Sequence, residues 1–385
     1  MRNLLKSSSA LRTSASVLAL SLLAGCAAAP DYEGSGEPLG ETAEPLAMTM
    51  LGADVSALQR SLDLGAKYYD AAGVQKHPLD ILKSVGVNYT RLRVWHAPAS
   101  GYNNKAKVIT TAKTAKSKGL KVLVDLHYSD WWADPGQQHK PAAWWTHNIG
   151  QLETDVYNYT YDVCNSLKAQ GAAPDSVQIG NEINVGMLWN EGKVVNNDFT
   201  NLARLLKAGY NAVKACNAST QVFIHTANAN SMANARWFYD GIKAKGVSWD
   251  VTALSYYCYW HGTMANMTSV VSDMKNRYGK PVVIVETAYP FTEGNADFHP
   301  NVVSGPQVCA GYTATWAGQA NAFTAIQNAA RSGGAAGVFY WEPTWYAVSG
   351  NGWDPTNING SGNSWDNQAV FDWGGKLNPN IRWTP

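Results

Sequence analysis

The sequence is poor in charge. Only 15% of its 385 residues are Asp, Glu, Lys or Arg, against roughly 25% in ordinary soluble domains. The 30 basic residues nearly balance the 29 acidic ones, so no net field attracts a polyanion. The composition therefore indicates an uncharged partner and argues against nucleic-acid binding.

Common catalytic motifs are also missing. The sequence has no HExxH zinc motif, no GxxxxGK phosphate loop and no GxSxG nucleophile turn, which leaves no basis for a zinc protease, kinase or esterase. Aromatic residues, by contrast, are abundant, with 16 Trp and 19 Tyr. We assign about half of them to core packing. The others are expected to line a binding surface, because aromatic rings suit the apolar faces of sugars.

The N-terminus predicts export. Basic residues, among them Arg2 and Lys6, precede an apolar run over 15–24, which is too short to span a bilayer and is typical of a secretory signal. The run ends in LAGC, which resembles a bacterial lipobox, so we predict a lipoprotein signal peptide over residues 1–25 and a lipid on Cys26. The alternative is ordinary cleavage nearby, which gives a soluble secreted protein.

Residues 26–49 are rich in Gly, Pro and Glu, and we predict a flexible tether. Ala27 follows the lipid cysteine, which favours the outer membrane or cell surface of a Gram-negative bacterium. The lipid is the only membrane contact that we expect, and we expect a monomer.

The chain from residue 50 to 385 is predicted to be one (β/α)8 TIM barrel with long loops at its C-terminal face. Short Val-, Ile- and Tyr-rich runs alternate there with amphipathic stretches, and a doubly wound sheet of this many strands would usually split. Helices are predicted at 104–118, 151–169, 198–215 and 316–332. The eight predicted strands are 51–56, 89–96, 121–128, 176–183, 221–227, 251–258, 281–287 and 337–343.

Acidic residues at strand ends are the candidates for chemistry, because functional residues of such barrels follow the strands. Each acid alone can be a helix cap or an ion-pair partner. Glycoside hydrolysis, however, needs two carboxyl groups, ~5 to 5.5 Å apart in retaining enzymes, and Glu182 and Glu286 fall across one barrel mouth. The strand-end acids are Asp54, Asp125, Glu182, Glu286 and Glu342.

The neighbours of this pair suggest separate roles. Asn181 can hydrogen-bond a sugar 2-hydroxyl, and Arg93 is expected to keep Glu286 ionised and nucleophilic. Glu182 is then the acid/base, with its pKa raised by burial and by the charge of Glu286.

Longer motifs resemble glycoside hydrolase family 53, the retaining clan A endo-β-1,4-galactanases that cleave type I arabinogalactan of plant pectin. The resemblance covers residues 52–372 and implies Glu182 as acid/base, Glu286 as nucleophile, and no cofactor for catalysis. It is carried by GADVS (52–56), RLRVW (91–95), VDLHYSDWWADPG (124–136), QIGNEINVGMLW (178–189), VIVETAYPF (283–291) and WDNQAVFD (365–372).

The resemblance also implies residues that contact the sugar at the cleavage point, and a cis peptide after Trp341. We add Trp132 as a ring platform. His127 as a satisfied core histidine and Trp341 as a packing residue are the alternatives. The implied contacts are Asp54, Arg93, Asp125, His127, Asn181 and Trp341.

A polar loop after the seventh strand resembles the calcium site of bacterial family members. The implied ligands alternate along the chain, with a merely polar loop as the alternative. Asn295 stands where an acid is expected, which weakens binding. The predicted ligands are Asn295, Asp297, His299, Asn301 and Asp366.

Four cysteines remain after Cys26, and an oxidising compartment permits three disulfide pairings among them. We favour Cys258 with Cys309, because Cys258 ends the sixth strand and Cys309 lies in the long loop that this bond would brace.

Two other functions stay open at this stage. The first is a clan A endo-β-glycanase that acts on mannan, xylan or glucan, because the catalytic pair does not distinguish an axial from an equatorial 4-hydroxyl. The second is a noncatalytic glycan-binding surface lipoprotein, which has no need of two catalytic carboxylates.

Overall fold

A computed structural model describes residues 47–385 of the chain. The predicted signal peptide, Cys26 and most of the predicted tether lie outside the described residues. Met48 is buried against the barrel, and the Thr49 N–H donates to the Ala336 carbonyl at 2.9 Å. The packed part of the chain therefore begins slightly before residue 50.

Eight parallel strands close into a barrel in sequence order, with the last strand paired to the first. This confirms the predicted (β/α)8 fold. The strands are β1 (Met50–Asp54), β2 (Tyr89–Val94), β3 (Lys121–Leu126), β4 (Ser176–Ile179), β5 (Gln221–Thr226), β6 (Val251–Ser255), β7 (Val282–Glu286) and β8 (Gly337–Trp341).

The predicted strands extend too far at their C-terminal ends. Strand β4 ends at Ile179, for example, whereas the prediction continued to residue 183. The reason is that the chain leaves the hydrogen-bonded ladder to present functional side chains. Glu182 and Glu342 follow β4 and β8 with φ values of 48° and 49°, a left-handed conformation outside the range of a strand.

Helices connect the strands on the outside of the barrel. Asn148 caps α4 and forms a capping box with Gln151, which satisfies backbone donors at the helix start. No helix in residues 47–385 is long and apolar enough to cross a membrane. The helices are α1 (Leu58–Asp63), α2 (Pro78–Ser84), α3 (Lys105–Ser117), α4 (Ile149–Ala169), α5 (Thr200–Cys216), α6 (Met232–Ala244), α7 (Cys258–His261), α8 (Met264–Tyr278) and α9 (Trp316–Ser332), with a 3-10 turn at Ala142–Trp144.

A compact apolar cluster fills the barrel interior beneath the strand ends. Close packing explains Gly52, since a Cβ there would lie 2.0 Å from the Phe339 ring. The cluster supports the polar side chains at the strand C-termini. Its buried members are Tyr89, Leu123, Phe223, Val251, Ala253, Val283, Val285 and Phe339.

Both disulfides of the described chain join neighbouring elements. Cys258 is bonded to Cys309 as predicted, so α7 is tied to the long loop after β7. Cys164 and Cys216 form the second bond and link α4 to α5. The Cα atoms are 5.9 and 6.3 Å apart, within the usual range for disulfides.

Candidate active site

A cavity of about 440 Å3 lies at the C-terminal ends of the strands. Its volume suits a short stretch of a ligand chain. Both predicted catalytic acids, Glu182 and Glu286, face it. The predicted sugar contacts that line it are Arg93, His127, Trp132, Asn181 and Trp341.

Asp54 and Asp125 do not line the cavity, contrary to the expectation that they contact the sugar. Both are fully buried. Each forms an ion pair with Arg91: Nη1 lies 2.8 Å from Asp54 Oδ2, and Nη2 lies 2.9 Å from Asp125 Oδ2. Their charges are needed there, because a buried guanidinium without partners is costly.

Arg91, rather than the predicted Arg93, contacts the nucleophile. Arg91 Nη1 lies 2.8 Å from Glu286 Oε1. The prediction followed position along the strand, but β2 is staggered against β1 so that Arg91 is the register partner of Asp54. Arg91 therefore lies beside Asp54 and reaches Glu286, whereas Arg93 reaches Glu342.

Every N–H of the Arg91 guanidinium has an acceptor. Besides the three carboxylates, Nη2 donates to Asn181 Oδ1 at 2.7 Å and Nε donates to Gln178 Oε1 at 3.2 Å. The planar fork of arginine matches this arrangement, whereas an ammonium group offers only three donors. Arg91 thus links the nucleophile to the asparagine beside the acid/base.

Arg93 instead packs against the rings of Trp95 and Trp132. Its Nη1 lies 3.3 Å from Glu342 Oε1, and its guanidinium lies 4.0 Å from the ring centre of Trp132 and 4.8 Å from that of Trp95. Such cation–π contacts hold a ring in place. Glu342, the fifth strand-end acid, is fully buried and also accepts the Ala57 N–H at 3.1 Å, so it is a structural partner.

Glu286 is brought to the cavity by an irregularity in β7. Leu254 pairs with Ile284 and Ser255 pairs with Glu286, so Val285 is an extra residue on β7. Such bulges redirect a side chain near an active site. Tyr257, the second residue after β6, donates to Glu286 Oε2 at 3.0 Å. Burial raises the pKa of Glu286 to about 7, although Arg91 and Tyr257 favour the ionised form.

Glu182 has an environment that favours its protonated form more strongly. Burial and the charge of Glu286 raise the pKa of Glu182 to about 8, and no cation pairs directly with it. Ser255 Oγ donates to Glu182 Oε1 at 2.6 Å. The higher pKa of Glu182 fits an acid, and the arginine contact of Glu286 fits a nucleophile.

Asn181 is fixed beside Glu182. Its Oδ1 accepts from Arg91, and its Nδ2 donates to the Ala133 carbonyl at 2.8 Å. The second hydrogen of this amide remains free to donate to a sugar hydroxyl. The predicted role of Asn181 is therefore compatible with the structure.

His127 lines the cavity with both ring nitrogens engaged. Nδ1 accepts from Trp95 Nε1 at 3.1 Å, and Nε2 lies 3.1 Å from Asp125 Oδ2. Burial lowers the pKa of His127, so the ring is neutral. Both ring nitrogens of His127 therefore have hydrogen-bond partners, as the core-histidine alternative predicted. The ring nevertheless forms part of the cavity surface.

Tryptophans form one side of the cavity. Trp341 packs edge-on against Trp365 at 4.5 Å between ring centres, and Trp132 Nε1 donates to the Trp353 carbonyl at 3.0 Å. The predicted cis peptide after Trp341 is wrong: the chain turns there through the left-handed Glu342, and the cis bond is at Trp189–Asn190. The tryptophans that line the cavity are Trp132, Trp260, Trp341, Trp345, Trp353 and Trp365.

The sequence analysis missed several residues of the site. They are polar residues inside or just after otherwise apolar strands, and one of them, Arg91, lies two positions from a residue that was chosen. Period-two alternation would have identified some of them, such as Arg91 from Arg93. The missed residues are Arg91, Gln178, His225, Ser255 and Tyr257.

The predicted calcium ligands lie in adjoining loops. No group of three or more His, Cys, Asp or Glu side chains in residues 47–385 is placed to hold a metal, but Asn and carbonyl oxygens also bind calcium. Asn301 Oδ1 and Asp366 Oδ1 are buried without a hydrogen-bond partner. Asp297 already accepts the N–H groups of His299 and Asn363. Two side-chain oxygens of these loops thus have no hydrogen-bond partner among the described residues.

Comparison with known proteins agrees with this site. The family model described as glycosyl hydrolase family 53 matches residues 50–383. The endo-beta-1,4-galactanase of Bacillus subtilis is 34% identical over 307 residues, which cover 77% of this chain and 70% of the relative. The arabinogalactan endo-beta-1,4-galactanase of Cellvibrio japonicus is 36% identical over 309 residues, 77% of this chain and 81% of the relative.

A solved structure is also similar throughout the barrel. The GH53 catalytic domain of Ignisphaera aggregans has a TM-score of 0.82 at 41% identity, and the match covers 86% of this chain and 94% of that chain. The family match spans nearly all of the described residues and includes Glu182 and Glu286. The chain belongs to glycosyl hydrolase family 53.

Proposed function

We propose that the protein is a retaining endo-β-1,4-galactanase that hydrolyses type I (arabino)galactan. The observation that carries this proposal is the pair Glu182 and Glu286 in one tryptophan-lined cavity of a family 53 barrel. Relatives from Bacillus subtilis and Cellvibrio japonicus are named for this activity. The near-zero net charge of the chain also suits a neutral polysaccharide.

The contacts of each acid support a separate role for it. Glu286, held by Arg91 and Tyr257, attacks the anomeric carbon while Glu182 gives its proton to the leaving glycosidic oxygen. A covalent galactosyl ester on Glu286 results. Glu182 then takes a proton from water, which attacks the anomeric carbon and releases Glu286. Two inversions give net retention.

The first test is reducing-end release by residues 47–385 from galactan, mannan, xylan and β-glucan. We expect short oligosaccharides from galactan alone, and no release by the matched Glu286→Gln protein. Release from only another glycan would move the protein to the alternative substrate class. No release from any of the four substrates, with binding to a glycan retained, would support the noncatalytic glycan-binding protein.

We also propose that the loop after β7 binds a structural calcium ion. Asn301 and Asp366 would supply the oxygens that have no partner. Asn295, Asp297 and His299 precede Asn301 in the same loop. The ion would hold the loop against the segment that carries Asp366. No catalytic step involves it.

Calcium binding is tested by thermal unfolding with EDTA and with added Ca2+, in the wild type and in Asp366→Asn. We expect Ca2+ to raise the midpoint of the wild type only, because bound ligand stabilises the folded state. Equal midpoints of the wild type in EDTA and Ca2+ would reject the site. Asp354→Asn, which removes an acid from a separate turn where Asp354 accepts the Thr356 N–H, is the matched control.

The N-terminal sequence supports a third proposal, a lipid anchor on Cys26 that places a monomeric enzyme at the outer membrane or cell surface. The lipobox-like LAGC and the following Ala27 carry this proposal. Metabolic labelling with a fatty acid should mark the wild type and not Cys26→Ala, and the variant should leave the membrane fraction. Labelling that persists in Cys26→Ala would reject the anchor, and light scattering of residues 47–385 checks the monomer.

A further inference from the structure

Glu182 is part of a closed ring of hydrogen bonds that also includes His225 and Ser255. Ser255 Oγ lies 2.6 Å from Glu182 Oε1, and His225 Nε2 lies 2.8 Å from Ser255 Oγ. The other ring nitrogen, His225 Nδ1, lies 3.2 Å from the backbone nitrogen of Glu182. The ring therefore begins at the main chain of Glu182 and ends at its carboxyl group.

Ser255 and His225 do not contact the substrate. Both side chains are fully buried, and neither lines the cavity. Ser255 is the last residue of β6 and His225 the next-to-last residue of β5, and these strands follow β4 around the barrel. Any effect of these two residues on the reaction must therefore pass through Glu182 or its neighbours.

The direction of the hydrogen bonds follows from the backbone. The Glu182 N–H has His225 Nδ1 as its only acceptor in the described part of the chain, so Nδ1 accepts and the imidazole proton is on Nε2. Asn181 Oδ1 lies 3.0 Å from the same Nδ1 but is already engaged by Arg91. Nε2 thus donates to Ser255 Oγ, and the Ser255 hydroxyl donates to Glu182.

The ring is stable because His225 stays neutral. Burial and the nearby Arg91 and His127 lower the pKa of His225 well below its usual value. The charged or titratable groups that act on Glu182 are Glu286, Asp134 and Arg91. The Ser255 hydroxyl is the direct hydrogen-bond donor to the Glu182 carboxyl group.

We propose that Ser255 and His225 are positioning residues for the acid/base: Ser255, oriented by His225, occupies Glu182 Oε1 and leaves Oε2 to carry the transferred proton. This inference rests on the proposed glycosidase role of Glu182. After Glu182 has given up its proton, the same hydrogen bond stabilises the carboxylate, because a bond to a charged acceptor is stronger than one to a neutral acceptor. The end of β6 and the segment that follows it then contact both acids, since Ser255 binds Glu182 and Tyr257 binds Glu286.

The test measures the pKa of Glu182 by carbon-13 NMR of its carboxyl group, assigned with Glu182→Gln. In Ser255→Ala we expect this pKa to rise by about one unit, the equivalent of one hydrogen bond to a charged group. His225→Leu should shift it in the same direction. His225→Gln, which keeps a donor near the position of Nε2, should restore most of the wild-type value.

Kinetics give a second readout that a merely structural role would not change. On galactan, the basic limb of the pH profile should move upward in Ser255→Ala and kcat should fall about tenfold, with KM little changed. This loss is smaller than the roughly hundredfold or more that general acid catalysis contributes, because Glu182 itself remains. An aryl β-galactobioside with a good leaving group needs little protonation and should lose less. Equal losses on both substrates would overturn the proposal.

The matched control is Thr287→Val. Thr287 follows the nucleophile, is fully buried, and its hydroxyl has no partner in the described residues, so its loss tests the removal of a buried hydroxyl alone. An unchanged Glu182 pKa in folded Ser255→Ala would overturn this inference while galactan hydrolysis by the wild type stands. Wild-type inactivity on galactan would reject the proposed substrate. The change in the Glu182 pKa in Ser255→Ala would then still test whether Ser255 and His225 act on Glu182.

Discussion

At the scale of single residues, Arg91 organises the site. Its five donors join three buried carboxylates, a glutamine and Asn181. Three carboxylates around one guanidinium are tolerable only because each hydrogen bond is satisfied. The arrangement explains why an arginine is required at this position and why Asp54 and Asp125 lie beneath the cavity.

Arg91→Lys should therefore inactivate the enzyme while keeping its charge. A lysine ammonium cannot reach all five acceptors, and we expect kcat to fall at least about a hundredfold and stability to fall by about 3 kcal/mol because buried carboxylates lose a partner. Activity assays and urea unfolding measure the two effects. Arg204→Lys, at a half-exposed pair with Glu153, is the control, and equal behaviour of the two variants would contradict the assignment.

Arg93→Met should have a different signature. Arg93 packs on Trp132 and does not contact Glu286, so we expect KM to rise severalfold, in line with about 1 kcal/mol for a cation–π contact. The acidic limb of the pH profile should stay in place. A shifted acidic limb would restore the original prediction that Arg93 controls the nucleophile.

At the scale of elements, the strand ends and the segments after them carry the chemistry. The β7 bulge places Glu286 beside Ser255, and the segment after β6 supplies Tyr257 and then α7. The Cys258–Cys309 bond fixes α7 to the loop after β7. Cys258 therefore directly follows Tyr257, the residue that donates a hydrogen bond to Glu286.

Removing this disulfide with Cys258→Ser and Cys309→Ser should lower both stability and activity. The bond closes a loop of 51 residues, for which chain entropy gives about 4 kcal/mol. Cys164→Ser with Cys216→Ser removes a bond of nearly equal separation, 52 residues, that is far from Tyr257 in sequence. We expect similar losses in thermal midpoint for both pairs, and a lower kcat at permissive temperature only for the first pair.

At the scale of the whole molecule, burial of two carboxyl groups in one cavity sets the working pH. Glu286 must be ionised, so activity is lost as pH falls through its pKa of about 7. Glu182 must be protonated, so activity is lost as pH rises through its pKa of about 8. Because the pair is coupled, the two limbs belong to both acids.

We thus predict a bell-shaped profile of kcat/KM on galactan with a maximum between these values. Steady-state rates from about pH 5 to about pH 10 measure it, a window wide enough to include both limbs. Glu342→Gln serves as a control, since this buried acid pairs with Arg93 outside the catalytic pair, and its profile should keep both limbs. A maximum near pH 4, the ordinary range of free carboxyl groups, would contradict the role assigned to burial.

The sequence alone determined the number and order of the strands and the family, and it selected the two glutamates that the structure places in one cavity, because apolar periodicity and short motifs are local properties of a chain. It did not determine which arginine reaches Glu286, since that depends on the stagger of β1 against β2. The bulge that turns Glu286 inward and the ring through His225 and Ser255 likewise arise between strands. Only closure of the barrel brings these side chains within hydrogen-bonding distance, and only there do Arg91 and Tyr257 favour the ionised form of Glu286 over that of Glu182.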